Sequence, residues 1–202
     1  MGFALVALAA GLALGLATGG RLANIGRRPV RAWPLLGLGL VADLAAAHLT
    51  GLGAVVVVLL GYGFLMAFAL ANLGLTGMSL VVVGLALNAL VMSVDTGMPV
   101  RGPAVVAAGL ATPAQVARLD HPGPGLEVVD GPHHLARAAD GLVALSDTIP
   151  FAPFGEVVSF GDLILAVGLA DVAFNLTRPR RRPAHARRRR LPLRLEGQPS
   201  PR

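Results

Sequence analysis

The chain has 202 residues, 54% of them apolar and only 14% charged, with a mean hydropathy of +0.69. Soluble domains carry about 25% charged residues, so this composition excludes a single water-clothed globule, and it excludes disorder over most of the length. There is no Cys, which removes disulfides, thiolate metal sites and a Cys nucleophile; all 17 basic residues are Arg, and with 26 Gly and 15 Pro this suggests a GC-rich, bacterial coding genome.

A spanning helix takes about 20 mostly apolar residues. Five runs qualify, at 2–18, 33–49, 54–72, 76–94 and 157–176, and none contains Lys or Arg. The predicted fold is therefore all-α: a polytopic bundle of five transmembrane helices (domain 1–176) with a partly helical extracytoplasmic segment at 95–156. The short connections after the second and third runs force antiparallel neighbours. In the first run Ala7, Gly11, Gly15 and Gly19 recur every four residues on one face. They predict close helix packing inside the bundle, or alternatively a dimer interface. Gly61 and Gly63, flanking Tyr62, suggest the same.

The net charge of +6 is unevenly placed. Arg21, Arg27, Arg28 and Arg31 fill the first loop, and ten Arg with one acid, Glu196, fill the stretch from Thr177 onward. The 62 residues 95–156 hold three Arg against seven acids. Basic loops stay cytoplasmic. With five spans both Arg clusters fall on one side, which predicts a multi-pass protein of the bacterial plasma membrane, N-terminus outside and C-terminus cytoplasmic. A cleaved signal peptide would put both clusters outside, so the first run is read as a retained span.

Charged groups in hydrocarbon cost about 2.5–3.5 kcal/mol on insertion scales, so each calls for a partner. Counting the rise per residue places Asp43 and Asn88 near the midplane, and His48 and Asp162 near the outer surface. Two pairs follow by depth, Asp43 with Asn88 and His48 with Asp162. Asp171 and Asn175, four apart, share a face near the inner end of the last span. Such groups serve either as interhelical hydrogen bonds or as a proton relay or polar path. Ser159-Phe160-Gly161-Asp162 fits a capping box, with a Ser N-cap and an acid at the third helical position.

Within 95–156, short helices are expected at Pro103–Leu110, Pro113–Leu119 and about His133–Leu145, with a turn-rich break at His121–Gly125 and extended chain from Asp147 to Phe154. This segment gathers His121, His133, His134, Asp130, Asp140 and Asp147. No HExxH or other diagnostic metal spacing is present, no GxSxG surrounds Ser146 or Ser159, and no Gly-rich phosphate loop stands outside the apolar runs. No metal, cofactor or catalytic residue is therefore predicted. Asp43, His48, Asn88, His133, His134, Asp147, Ser159, Asp162 and Asp171 are the candidate functional polar residues.

Asn88-Ala89-Leu90-Val91 leading to Met98-Pro99-Val100, then a His, then Asp147-Thr148-Ile149-Pro150, then Ser159-Phe160-Gly161-Asp162-Leu163, resembles a bacterial membrane family of unknown function, DUF5317, over most of 1–176. The chain departs from that pattern at Asp95-Thr96-Gly97, where the family has a Gly-rich pair, and at Ser146-Asp147, where it has Gly-Asp. The resemblance implies no activity. It implies that the 95–156 segment and the start of the last span form one unit.

Residues 177–202, with ten Arg, five Pro and no aromatics, are expected to be a disordered cytoplasmic tail that anchors topology and attracts anionic lipid headgroups. Without aromatics to stack bases, no specific nucleic acid is expected. Three functions fit: a non-enzymatic membrane component working with an unknown membrane protein partner, a small transporter or conduit, and an enzyme acting at the outer face.

Overall fold

The computed structural model describes residues 2–119 and 131–179. In chain order its elements are α1 (Gly2–Ala17), α2 (Trp33–Ala46), α3 (Gly51–Ala71), α4 (Met78–Val94), β1 (Met98–Val100), α5 (Gly102–Ala107), α6 (Pro113–Leu119), β2 (His133–Leu135), β3 (Ile149–Phe151), β4 (Glu156–Val158) and α7 (Phe160–Thr177). The protein is mostly helical, and the five long helices coincide with the five apolar runs. By length and composition α3 and α7 are long and apolar enough to cross a membrane, while α1, α2 and α4 are apolar but shorter. Only 33% of either candidate window is buried within the chain, so neither is an enclosed core helix. The outward faces carry large apolar side chains, among them Leu5, Leu14, Val41, Leu44, Leu60 and Val167, each more than half exposed.

The long helices pack in the spatial order α1–α7–α4–α3–α2. The last helix therefore inserts between the first and the fourth, which the sequence does not announce. Small residues explain why it fits. A Cβ on Gly11 would strike the Ala170 carbonyl, and one on Gly15 would strike Thr177 Oγ1. On the other side of α7, Cβ atoms on Gly84 and Gly168 would lie 2.7 Å from backbone atoms of the facing helix. The expected small-residue face of α1 thus packs inside the bundle rather than forming a dimer seam, although Gly19 meets nothing within 4 Å. Gly61 similarly seats α3 on α2, against Ala42 and Gly39, whereas Gly63 is open. Buried clusters form around Phe68, Met78, Leu85 and Val172, and around Ala46, Val58, Val91, Met92 and Met98.

The described parts of the 95–156 segment, 95–119 and 131–156, sit at one end of the bundle. There β1 pairs in parallel with β2 (Met98 opposite His133), and Val100 bridges to Asp147. The strands β3 and β4 form an antiparallel pair. Helices at 102–107 and 113–119 match expectation, and extended chain at Ile149–Phe151 does so in part, since Ala152–Phe154 is a 3₁₀ turn. The helix expected over His133–Leu145 is not present. Residues 133–135 are a strand, and the turns that follow are organised by carboxylates. Asp140 accepts from Arg137 N at 2.6 Å, and Asp95 accepts from Gly141 N and Leu142 N at 2.7 and 3.1 Å. Side chains that take up backbone N–H groups offer the chain an alternative to helix. Gly131 is left-handed (φ 67°) and approaches the Ala46 carbonyl closely, so β2 is laid across the end of α2.

Candidate functional site: a polar cluster at one end of the bundle

The start of α7 carries the expected capping box. Ser159 Oγ accepts from Asp162 N at 2.9 Å, and Asp162 Oδ2 accepts from Ser159 N at 3.0 Å. The neighbouring helix completes it. Asn88, buried in the middle of α4, donates through Nδ2 to Asp162 Oδ1 at 2.7 Å and accepts from Ser159 Oγ at 2.9 Å. One amide thus ties α4 to the first turn of α7. Gly161 is required at this contact, because a Cβ there would collide with Asn88 Oδ1.

This replaces the two pairings predicted by depth. Asn88 is bonded to Asp162 and Ser159, not to Asp43, and His48 is exposed, not bonded to Asp162. The physical reason is lateral order: α2 packs on α3, so α3 stands between Asp43 and Asn88. Tyr62 of α3 bridges that gap. It lies within hydrogen-bond reach of Asn88 and within electrostatic range of Asp43, Asp147 and Asp162. Asp43, half-buried, is itself in electrostatic range of His133 and Asp162.

Asp147 closes the cluster from the segment side. Its backbone is held on β1, donating to Pro99 O at 3.1 Å and accepting from Arg101 N at 3.0 Å. That turns its side chain inward, where only 8% of it is exposed, with His133 Nε2 3.7 Å from Oδ2. Burial, with the nearby Asp162 charge, pushes the Asp147 carboxyl up to about 8. The adjacent His134 is not part of this cluster. It alternates to the other side of the strand and meets Asp140 at 3.3 Å. Among the described residues no three His, Asp or Glu side chains converge as metal ligands. His121 and Asp130 lie outside the described residues.

Two predicted residues belong elsewhere. Asp171 and Asn175 share a face as expected, with Asn175 Nδ2 donating to Asp171 Oδ1 at 2.7 Å, in a groove beside α1. The Arg-rich stretch lies outside the described residues from 180 onward. The sequence reading overlooked Asn24, Asn72 and Glu156. Asn72 caps the chain at Arg31, accepting from its N–H and donating to its carbonyl, both at 2.8 Å. Asn24 Nδ2 donates to the Thr177 carbonyl at 2.7 Å. Glu156 accepts from Gly2 N and Phe3 N at 2.6 and 2.8 Å, capping α1 from a distant strand. Asn closing an apolar run was the available signal for Asn72.

Fold and cluster together define a mostly helical protein, with helices fit to cross a membrane and a polar seam joining a folded segment to one end of the bundle. A family model matches residues 28–173, and the chain belongs to that family, a family of unknown function (DUF5317). The match includes β1, β2, Asn88 and the Ser159–Asp162 cap. No curated protein and no solved structure is significantly similar.

Proposed function

We propose that the chain is a non-enzymatic component of the bacterial plasma membrane, a subunit that works with a membrane partner. In this reading all five long helices span. The Arg21–Arg31 loop and the Arg-rich tail face the cytoplasm, the tail attracting anionic headgroups. The 95–156 segment lies on the outer face. Apolar exposure on all five helices supports spanning, since an exposed apolar belt of this size is costly in water. Helices shorter than about 20 residues are accommodated by bilayer thinning and flanking anchors, and Trp33, strongly exposed at the start of α2, is such an anchor.

The observation that carries the non-enzymatic reading is the use to which the reactive groups are put. The Ser159 hydroxyl both donates and accepts, and both Asp162 oxygens are bonded, within a cap and to Asn88. The Ser159 proton is committed to Asn88 and each Asp162 oxygen already takes one N–H, so these groups are engaged in holding α7 to α4. The cluster fastens the segment and α7 to the bundle.

The absence of Cys makes the topology directly measurable. Gly26→Cys and Gly109→Cys, labelled in intact cells with an impermeant maleimide, are expected to report opposite sides, with only Gly109→Cys reactive from outside. Labelling of both from one side would overturn the arrangement. A second reading, a proton-binding conduit, draws on the gathering of Asp43, Asp147, Asp162 and His133 around Tyr62. Proton flux through vesicles containing the purified chain, abolished by Asp147→Asn, would favour it over the fastener.

A further inference from the structure

The groove between α1 and α7 encloses about 350 Å³, and its walls are apolar, with Ala10, Leu14, Val167 and Phe174 around a single carboxylate, that of Asp171. Its floor is the close contact of Gly11 with Ala170, so an approaching helix meets little side-chain bulk there. Asp171 lies six residues before the end of α7, hence about 9 Å from that end and about 17 Å from the other. One of its oxygens, Oδ1, takes the Asn175 amide at 2.7 Å. Among the described residues, the other has no hydrogen-bond partner.

A carboxylate at this depth, opening sideways from the bundle, calls for a cation or a strong donor. A second copy brings no Lys or Arg to this level, because none of the apolar runs contains either. A lipid tail offers the carboxylate nothing, and a headgroup amine resides at the interface, about 9 Å away. We infer that the α1–α7 groove docks a transmembrane helix of a different protein, one carrying Arg or Lys level with Asp171. The guanidinium or ammonium would meet the open carboxylate oxygen, and the helix would fill the apolar walls. This deepens the proposed role as a partner subunit and rests on α7 spanning the bilayer.

The test uses the full chain, fluorescently labelled, in phosphatidylcholine vesicles with a labelled Leu/Ala transmembrane peptide bearing one Arg six residues from its end. Energy transfer is expected to show the Arg peptide binding about tenfold more tightly than the same peptide with Leu. Asp171→Leu should remove that difference and Asp171→Glu should keep it, with both variants retaining the parent helical circular dichroism. Equal binding of the Arg and Leu peptides would overturn the inference. So would Arg-peptide binding unchanged by Asp171→Leu, or displacement of the peptide by phosphatidylethanolamine, which would mark a lipid as the occupant. Asp171→Cys separates the two levels of the argument. If an impermeant maleimide labels it in sealed vesicles, the spanning reading fails; if it is protected and the parent chain binds the Arg and Leu peptides alike, the docking inference alone fails.

Discussion

The two ends of the bundle are fastened by different chemistry. At the end holding the first loop, Asn72 satisfies the backbone of Arg31, Asn24 satisfies the Thr177 carbonyl, and Arg21 N donates to the same carbonyl at 2.9 Å. Side-chain amides close helix ends there, and none of those bonds titrates. At the other end ionisable side chains do much of the fastening: Asn88 meets Asp162 and Ser159, His133 meets Asp147, and Glu156 takes the first backbone amides of α1. These contacts involve three carboxylates and an imidazole, and Asp43, Asp95, Asp140 and His134 lie at the same end. The difference teaches that one end is closed by amides that do not titrate, while the other is closed largely through side chains that can.

Steric substitution should separate the ends most. Gly161→Ala drives a methyl into Asn88 Oδ1, which cannot retreat without releasing Ser159. Gly15→Ala at the opposite end meets Thr177 Oγ1, a hydroxyl that can rotate away, with the Phe174 carbonyl 3.1 Å from the added atom. Overpacking of a fixed contact costs about 3 kcal/mol and of a yielding one about 1 kcal/mol. Thermal unfolding in detergent should therefore rank Gly161→Ala well below Gly15→Ala, with Gly63→Ala, open on all sides, at or above the parent. Equal losses at Gly161 and Gly15 would mean that the two ends are equally rigid.

Protonation should come next. Asp147, raised from 3.8 to about 8, holds its proton in the folded protein over a range where the unfolded chain has lost it. The folded state then binds more protons, so stability falls as pH rises from about 4 to about 8 and levels off above. The loss attributable to this group is about 3 kcal/mol across that window, discounted from the full linkage for solvent relaxation. Asp147→Asn should flatten this part of the curve and leave the variant the more stable protein at pH 9. A parent curve that stays flat between pH 5 and 7 would show instead that Asp147 is ionised in the folded protein over that range.

How much of this was legible beforehand follows the range of the interactions. The five long helices were readable because hydrophobic runs are local, and the Ser159–Asp162 cap because a capping box spans four residues. The partner of Asn88 was not, because sequence gives depth along a helix and says nothing of which helix lies beside which. Asp43 and Asn88 were matched by depth, yet α3 separates them. The strand at His133–Leu135 was read as helix because its short-range pattern is neutral. What decided it was Met98–Val100, over thirty residues away, offering a free edge. Glu156 was missed for the same reason, as its partners are 153 and 154 residues distant.

Removing one amide at each end gives a smaller and more diagnostic contrast. Asn88→Leu leaves Asp162 Oδ1 and the Ser159 hydroxyl without their partner, and Asn72→Leu leaves the Arg31 N–H and carbonyl without theirs. Each exposes buried polar groups at a cost of about 2 kcal/mol. Only the second should cost the same at every pH, because no ionisable side chain takes part in the Asn72 contacts. Protease cleavage within 95–156 should accelerate for Asn88→Leu and not for Asn72→Leu, since only the former unties the segment end.

The smallest effect belongs to Glu156, and its sign opposes that of Asp147 at the same end of the molecule. Partial burial works to raise its carboxyl, but the N-terminal ammonium and the amides of Phe3 and Gly2 favour the charged form and hold it below 4.5. A depressed carboxyl stabilises the folded state above the unfolded value and loses that contribution as pH falls through the folded value. The group is largely solvent-screened, so its share is below about 1 kcal/mol. Glu156→Gln should lower the stability plateau slightly near pH 7 and leave the acid limb shallower than in the parent. With Asp147→Asn removing the loss toward high pH, the double variant should respond to pH only weakly between 4 and 8. If a strong dependence survives in that double variant, titration at this end is carried by Asp43, Asp162 or His133 instead, and the fastening would have to be reassigned to them.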